Sequence, residues 1–267
     1  MNLENKKANR IYDELEFSRG LLGYGLNAIR KANIQYKYLY PIAFSSLGLG
    51  LERMGKICIT LDYYIKNGVF PNEKKIKDYG HNLTKVFQSI ENLYPNYCEK
   101  HSPLSEIHNK IIKELDEFAK GSGTRYSNIN FITSEVDNNP IKNWYINIDE
   151  YILEKFITNS RKKYLEEQAK IISMFFSNTI TTFHSELDEI ITSHNELFNN
   201  IYLSQEVVGY RALFLIQIIE YIFDFLTTIN HRLDREYYLD DLNRLFSVIT
   251  YGSNYQKRRR KNFERQY

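Results

Sequence analysis

The sequence predicts an all-α protein: an antiparallel bundle of about seven or eight helices, one of them very long. Three observations carry this. Apolar residues recur at spacings of three and four through most of the chain. Only 12 Gly and 5 Pro interrupt 267 residues, and both types are costly inside helices. Hydrophobic residues make up 43% of the chain, with 22 Tyr and 16 Phe among them, which supplies a sizeable core.

The first helix spans roughly residues 3–33, with Leu15, Leu22, Leu26 and Ile29 on one stripe. Gly20, Gly23 and Gly25 read as a close-packing surface, because no strand precedes them to make a nucleotide loop. Pro41 suits the first turn of the second helix. Its seam runs Phe44, Leu47, Leu51, Met54, Cys58, Leu61 and Ile65. Glu52 and Lys56 stand four apart and read as a surface pair. The third helix carries Leu83, Val86, Phe87, Ile90 and Tyr94, with Asp78 as its expected N-cap and His81 near N3. A fourth runs from Pro103 to Ala119.

Residues 120–147 are rich in Gly, Ser and Asn and hold the only Trp. They read as an ordered irregular loop or small hairpin. A helix over 148–164 follows. The strongest pattern in the chain then runs from Leu165 through Ala169, Ile172, Phe176, Ile180, Phe183, Leu187, Ile190, His194 and Leu197 to Ile201. It predicts one very long helix, or two nearly continuous ones, with a stutter at Phe176. Val207–Ile229 reads as a buried core helix. Its apolar run Ala212–Leu226 is too short to span a bilayer and carries Glu220 and Asp224. Leu239, Leu242, Phe246 and Ile249 mark a last helix, and the tail beyond Gly252 is expected to be mobile. The natural divisions are 1–119, 120–147, 148–252 and a basic tail over 253–267.

Net charge is +2, and the last eleven residues hold six basic residues and one acidic one. The remainder is therefore slightly acidic, unlike a protein coated for nucleic-acid binding. The tail could meet RNA, DNA or an acidic partner, or simply be solvated. Two cysteines, Cys58 and Cys98, make a disulfide framework unlikely and fit a reducing cytoplasm. The charged N-terminus lacks the apolar stretch of a signal peptide, so no membrane association is expected.

His81 follows Lys74, Lys75 and Lys77 at an expected helix start. Free N–H groups and the positive end of the helix dipole suit a phosphate there and favour a neutral, base-competent imidazole. The alternative is a solvated helix entry. Arg125 and Tyr126 sit in the Gly-rich loop, where Arg125 could clamp a phosphate or tie the loop to the bundle. Cys98, His101 and His108 match no zinc spacing. His194 reads as a core histidine, and His184 with Asp188 as a surface pair. Glu220 and Asp224 are expected to find Arg211 or a Tyr hydroxyl. No metal, cofactor, P-loop, Rossmann or hydrolase motif is expected.

Two stretches, "SSLGLGLERMGKICITLDYYIKNG" and "YGHNLTKVF", resemble the helix pair of HEPN-type bundles. "FAKGSGTRYSNINF" is similar to a loop of bacterial HEPN-like proteins. The resemblance covers residues 10–131. It implies an all-α, often dimeric protein of bacterial defence or toxin–antitoxin type. Such proteins act on RNA as metal-independent endoribonucleases, or are non-catalytic relatives that bind nucleotides or partners. Active families carry Arg-x4-6-His. None of the six histidines here has that arginine, and Lys74 and Lys75 hold its register before His81. The resemblance implies His81 and Arg125 as catalytic groups, with Lys74, Lys75, Lys77 and Tyr126 on phosphate. The alternative is a non-enzymatic helical module that dimerises or binds a partner protein.

Overall fold

The computed structural model describes residues 5–98, 102–120 and 124–264. The all-α expectation holds. Helix α1 (Lys6–Lys31) is capped by the Asn5 side chain, which accepts the Lys7 and Ala8 N–H groups. Helix α2 (Leu39–Asn67) runs antiparallel to it and ends at Gly68, whose φ of +70° is left-handed. The two backbones approach closely because of glycine. A Cβ on Gly25 would lie 2.6 Å from Leu47 Cγ, and one on Gly50 2.8 Å from Leu22 Cγ. The sequence stripe is thus a packing surface, although a Cβ on Gly20 would meet nothing within 4 Å and one on Gly23 would meet the Phe263 carbonyl.

Short helix α3 (Glu73–Lys77) leads to α4 (Leu83–Leu93) and α5 (Glu106–Ala119). Beyond it, the described residues of 120–147 form helical turns rather than a hairpin. They comprise a 3-10 turn at Thr124–Tyr126, α6 (Ser127–Ser134) and α7 (Pro140–Trp144). Asn139 caps α7 and Pro140 occupies its first turn, so the Asn/Pro chemistry read as a loop starts a helix. A π turn, Tyr145–Asp149, joins α7 to α8 (Glu150–Phe156).

The very long helix exists, but downstream of its expected place. Helix α9 (Asn159–Met174) stops just before Phe176. A two-stranded antiparallel hairpin follows, pairing β1 (Phe183–His184) with β2 (Ile190–Ile191). Helix α10 (His194–Asn230) then runs for 37 residues and absorbs the predicted core helix. The break falls in "FFSNTITT", whose Ser, Asn and Thr residues compete for backbone hydrogen bonds. Ser185 Oγ accepts the Leu187 and Glu189 N–H groups to close the hairpin turn. By length and composition α10 could cross a bilayer, but 72% of its apolar window is buried against the other helices.

Within the tail, residues 253–264 are docked rather than free. Helix α11 (Leu242–Thr250) is followed by α12 (Asn254–Arg259), which opens with a Ser253/Gln256 capping box. Lys257 is buried against Glu220, and Phe263 is fully buried with its N–H on Asn27 of α1. Arg260 donates to the carbonyls of Val248, Ile249 and Tyr251. A basic, polar composition suggested mobility, but specific acceptors on α10 and α11 hold the segment.

Candidate functional site

The site is built at the α4 entry. Glu52 lies on the face of α2 turned toward that entry and is 6% exposed, so it is not the surface carboxylate its charge suggests. A buried carboxylate needs partners. Lys56, one turn on, donates to Oε1 at 2.7 Å, and His81 Nδ1 lies 3.2 Å from Oε2. Lys56 Nζ also reaches the Gly80 carbonyl at 2.6 Å. Gly80 has φ +53°, and this left-handed turn swings His81 back over α2. The His81 side chain is 73% exposed, and among the described residues Nε2 makes no hydrogen bond. With Nδ1–H donated to Glu52, Nε2 carries the lone pair and faces solvent. A carboxylate that orients a histidine, with an ammonium alongside, is an acid–base arrangement.

The helix-terminus part of the sequence reading is corrected. The N-cap of α4 is Asn82, which accepts the Lys85 N–H at 2.7 Å. His81 therefore precedes the helix instead of sitting at N3. Asp78 is not the cap; its carbonyl accepts from Lys85 Nζ. The first donor of the turn, the Leu83 N–H, is already satisfied by an anion of the protein itself. Asp116 on α5 accepts the Leu83 N–H at 2.6 Å and the Thr84 hydroxyl at 2.8 Å. Lys120 balances that carboxylate at 3.1 Å.

The other predicted residues gather less tightly. Lys74 is exposed, Lys75 lies over the Tyr63 ring at 4.0 Å, and Lys77 pairs with Glu73 at 2.6 Å. No contact joins them to His81, and Lys56 takes the place expected of them. Arg125 donates to the Ala119 carbonyl at 3.2 Å, and Tyr126 beside it is exposed. Ala119 and Asp116 belong to the same final turn of α5, so Arg125 stands at the same end of the bundle as His81 without touching it. Tying the loop to the bundle is thus its observed role.

Several other histidines and acids singled out in the sequence have definite surroundings. His108 closes the capping box of α5 through Ser105 and bonds Gln217 at 2.9 Å; burial lowers its pKa, so the ring is neutral. His101 lies outside the described residues, and no metal-binding cluster occurs among those described. His194 begins α10, stacked on Phe176, rather than lying in the core. His184 does not meet Asp188, which instead pairs with Lys37 at 3.4 Å and Asn139 at 2.6 Å.

Arg211 pairs with Asp149 instead of Glu220. Its Nε and Nη2 reach the two Asp149 oxygens at 2.7 and 2.5 Å, Nη1 donates to Ala32 O, and Nη2 to the Tyr40 hydroxyl. Every nitrogen of this fully buried guanidinium is satisfied, which marks it as a structural centre. The signal for a buried charge was present: Arg211 sits between "VVGY" and "ALFLI". The burial of Glu52 had no such mark, because it follows Leu51 as an ordinary i,i+4 surface pattern would.

No known protein family, curated protein or solved structure matches this chain.

Proposed function

We propose that the protein acts on RNA at the His81 corner as a metal-independent endoribonuclease, in keeping with the HEPN-like resemblance of residues 10–131. The observation that carries this reading is the hydrogen bond from His81 Nδ1 to the buried Glu52 carboxylate. Glu52 fixes the ring, and exposed Nε2 takes the proton of a ribose 2′-hydroxyl as that oxygen attacks the adjacent phosphorus; the P–O5′ bond breaks, leaving a 2′,3′-cyclic phosphate, and the departing 5′-oxygen takes a proton from solvent water. Lys56, beside the ring, offers positive charge to the phosphate oxygens. An open corner suits a polymer that approaches from solvent.

The test is incubation of purified protein with total RNA in chelator, beside His81→Ala. Cleavage that the variant lacks supports the assignment; absence of cleavage by wild type, or equal cleavage by the variant, overturns it.

A second, non-enzymatic reading draws on a different observation. Ile171, Met174, Phe175, Ile180 and Ile190, around the α9–hairpin junction, are all more than half exposed. Exposed large apolar side chains of this kind suit contact with a second copy or a partner protein. A monomeric mass by size-exclusion light scattering, unchanged across concentration, would remove self-association from this reading.

A further inference from the structure

On the flank formed by α1, α9, α10 and α12 lies an open groove of about 550 Å³. Four guanidinium groups line it: Arg30, Arg161, Arg258 and Arg259. The one carboxylate in its wall is Glu206, which Arg161 holds through contacts of 3.0 and 2.5 Å. The other three arginines have no ion-pair partner among the described residues. Arg30 donates to the Arg258 carbonyl at 2.7 Å, Arg258 to the Tyr210 hydroxyl, and Arg259 to the Tyr255 hydroxyl at 2.6 Å. The groove therefore carries a surplus of three positive charges.

These charges are held in place. The Arg258 guanidinium lies over the Tyr210 ring at 4.8 Å. Helix α12, which supplies Arg258 and Arg259, is anchored by buried Lys257. Arg30 is half-buried, and burial lowers its pKa, but a guanidinium stays protonated at neutral pH. Uncompensated cations lining one groove, two of them half-buried, are stabilised by a multiply charged anion with several acceptor oxygens. Phe156, 40% exposed and 5.3 Å from the Tyr210 ring, adds an apolar wall.

We propose that this groove is a binding site for a phosphate monoester, its dianionic phosphoryl group held by Arg30, Arg258 and Arg259 and its organic part against Phe156. The surplus charge matches a dianion better than a single carboxylate. The monoester can be that of a small metabolite or the 5′-phosphate of an RNA end. The site is separate from the His81 corner and stands or falls independently of RNA cleavage.

The experiment is calorimetric titration of the full chain with phenyl phosphate, and with phenol as the uncharged control. Arg259→Gln and Arg161→Gln serve as variants, since both side chains are exposed and their loss leaves the core intact; circular dichroism confirms their folding. Phenyl phosphate is expected to bind one per chain, phenol not at all, and Arg259→Gln to weaken binding about tenfold or more. No binding of phenyl phosphate at millimolar concentration overturns the proposal. So does equal binding of phenol, or affinity unchanged in both variants. Competition by a 5′-phosphorylated oligoribonucleotide, but not its 5′-hydroxyl form, assigns the site to RNA ends. Failure of both to compete assigns it to a small monoester. Either result retains the phosphate monoester site.

Discussion

Replacing Arg211 with Met removes one half of a fully buried ion pair while nearly conserving side-chain volume. The guanidinium serves both Asp149 oxygens, the Ala32 carbonyl and the Tyr40 hydroxyl. Breaking such a pair from one side costs about 3–5 kcal/mol, because the remaining charge stays buried without a partner. For a chain of this size each kcal/mol lowers the melting temperature by about 2–4 °C, so Arg211→Met should melt about 6–20 °C lower. Replacing both partners, as Asp149→Leu with Arg211→Met, should recover most of the loss, since no charge is then stranded.

The pH dependence of the single variant follows from the same geometry. In the wild type, burial raises the Asp149 pKa and Arg211 pulls it back. Burial opposes the Arg211 charge, but Asp149 and Tyr40 hold its pKa above the ordinary value, so the guanidinium stays charged. Without Arg211, buried Asp149 loses the charge that chiefly holds its pKa down, and its folded pKa rises further above its unfolded value of about 3.9. Between those two values the folded state holds a proton that the unfolded chain has released. Lowering the pH through that window stabilises the variant, and raising it destabilises the variant. Thermal denaturation followed by circular dichroism across this range measures both effects. A single variant that melts within 2 °C of wild type, or a double variant no better than the single one, would refute the reasoning (2 °C being about 1 kcal/mol or less).

Other outcomes are equally specific. Gly50→Ala places a Cβ 2.8 Å from Leu22 Cγ and should cost about 1–3 kcal/mol in urea denaturation, from overpacking between α1 and α2. Phe263→Ala empties a fully buried site under the C-terminal segment and should cost about 3–5 kcal/mol; a loss under 1 kcal/mol, read by the same assay, would mean the segment is not docked. Asp116→Ala removes the acceptor of the Leu83 N–H and should cost about 1–2 kcal/mol while raising amide exchange in the first turn of α4.

Helix content and most core positions were legible because three–four periodicity reports burial directly. Leu47, Leu51, Met54, Cys58 and Leu61 all lie at 0% exposure along the seam read from sequence. The same reasoning failed between Met174 and His194. There the period persists, but residues 177–182, Ser-Asn-Thr-Ile-Thr-Thr, favour side-chain-to-backbone bonding over helix. Ile180 is left 95% exposed by the break. The C-terminal tail was misjudged for a related reason. Its hold comes from acceptors on distant elements, Glu220 and the carbonyls at the end of α11, which no local pattern displays. At the site, His81 was found through its Gly-His helix entry, whereas Glu52 and Lys56 were seen only as a pair. What joins the three is a left-handed turn at Gly80, and such a turn fixes direction only in three dimensions.

The pairing of His81 with Glu52 is tested most directly by single-turnover cleavage of a defined single-stranded RNA in chelator. Wild type, Glu52→Gln and His81→Ala are compared, with RNA binding measured on the same samples. The predicted result is cleavage slowed by about 10²–10⁴-fold in His81→Ala, an intermediate loss in Glu52→Gln, and unchanged binding. RNA left intact by the wild type, or cut as fast by His81→Ala, would contradict the assignment.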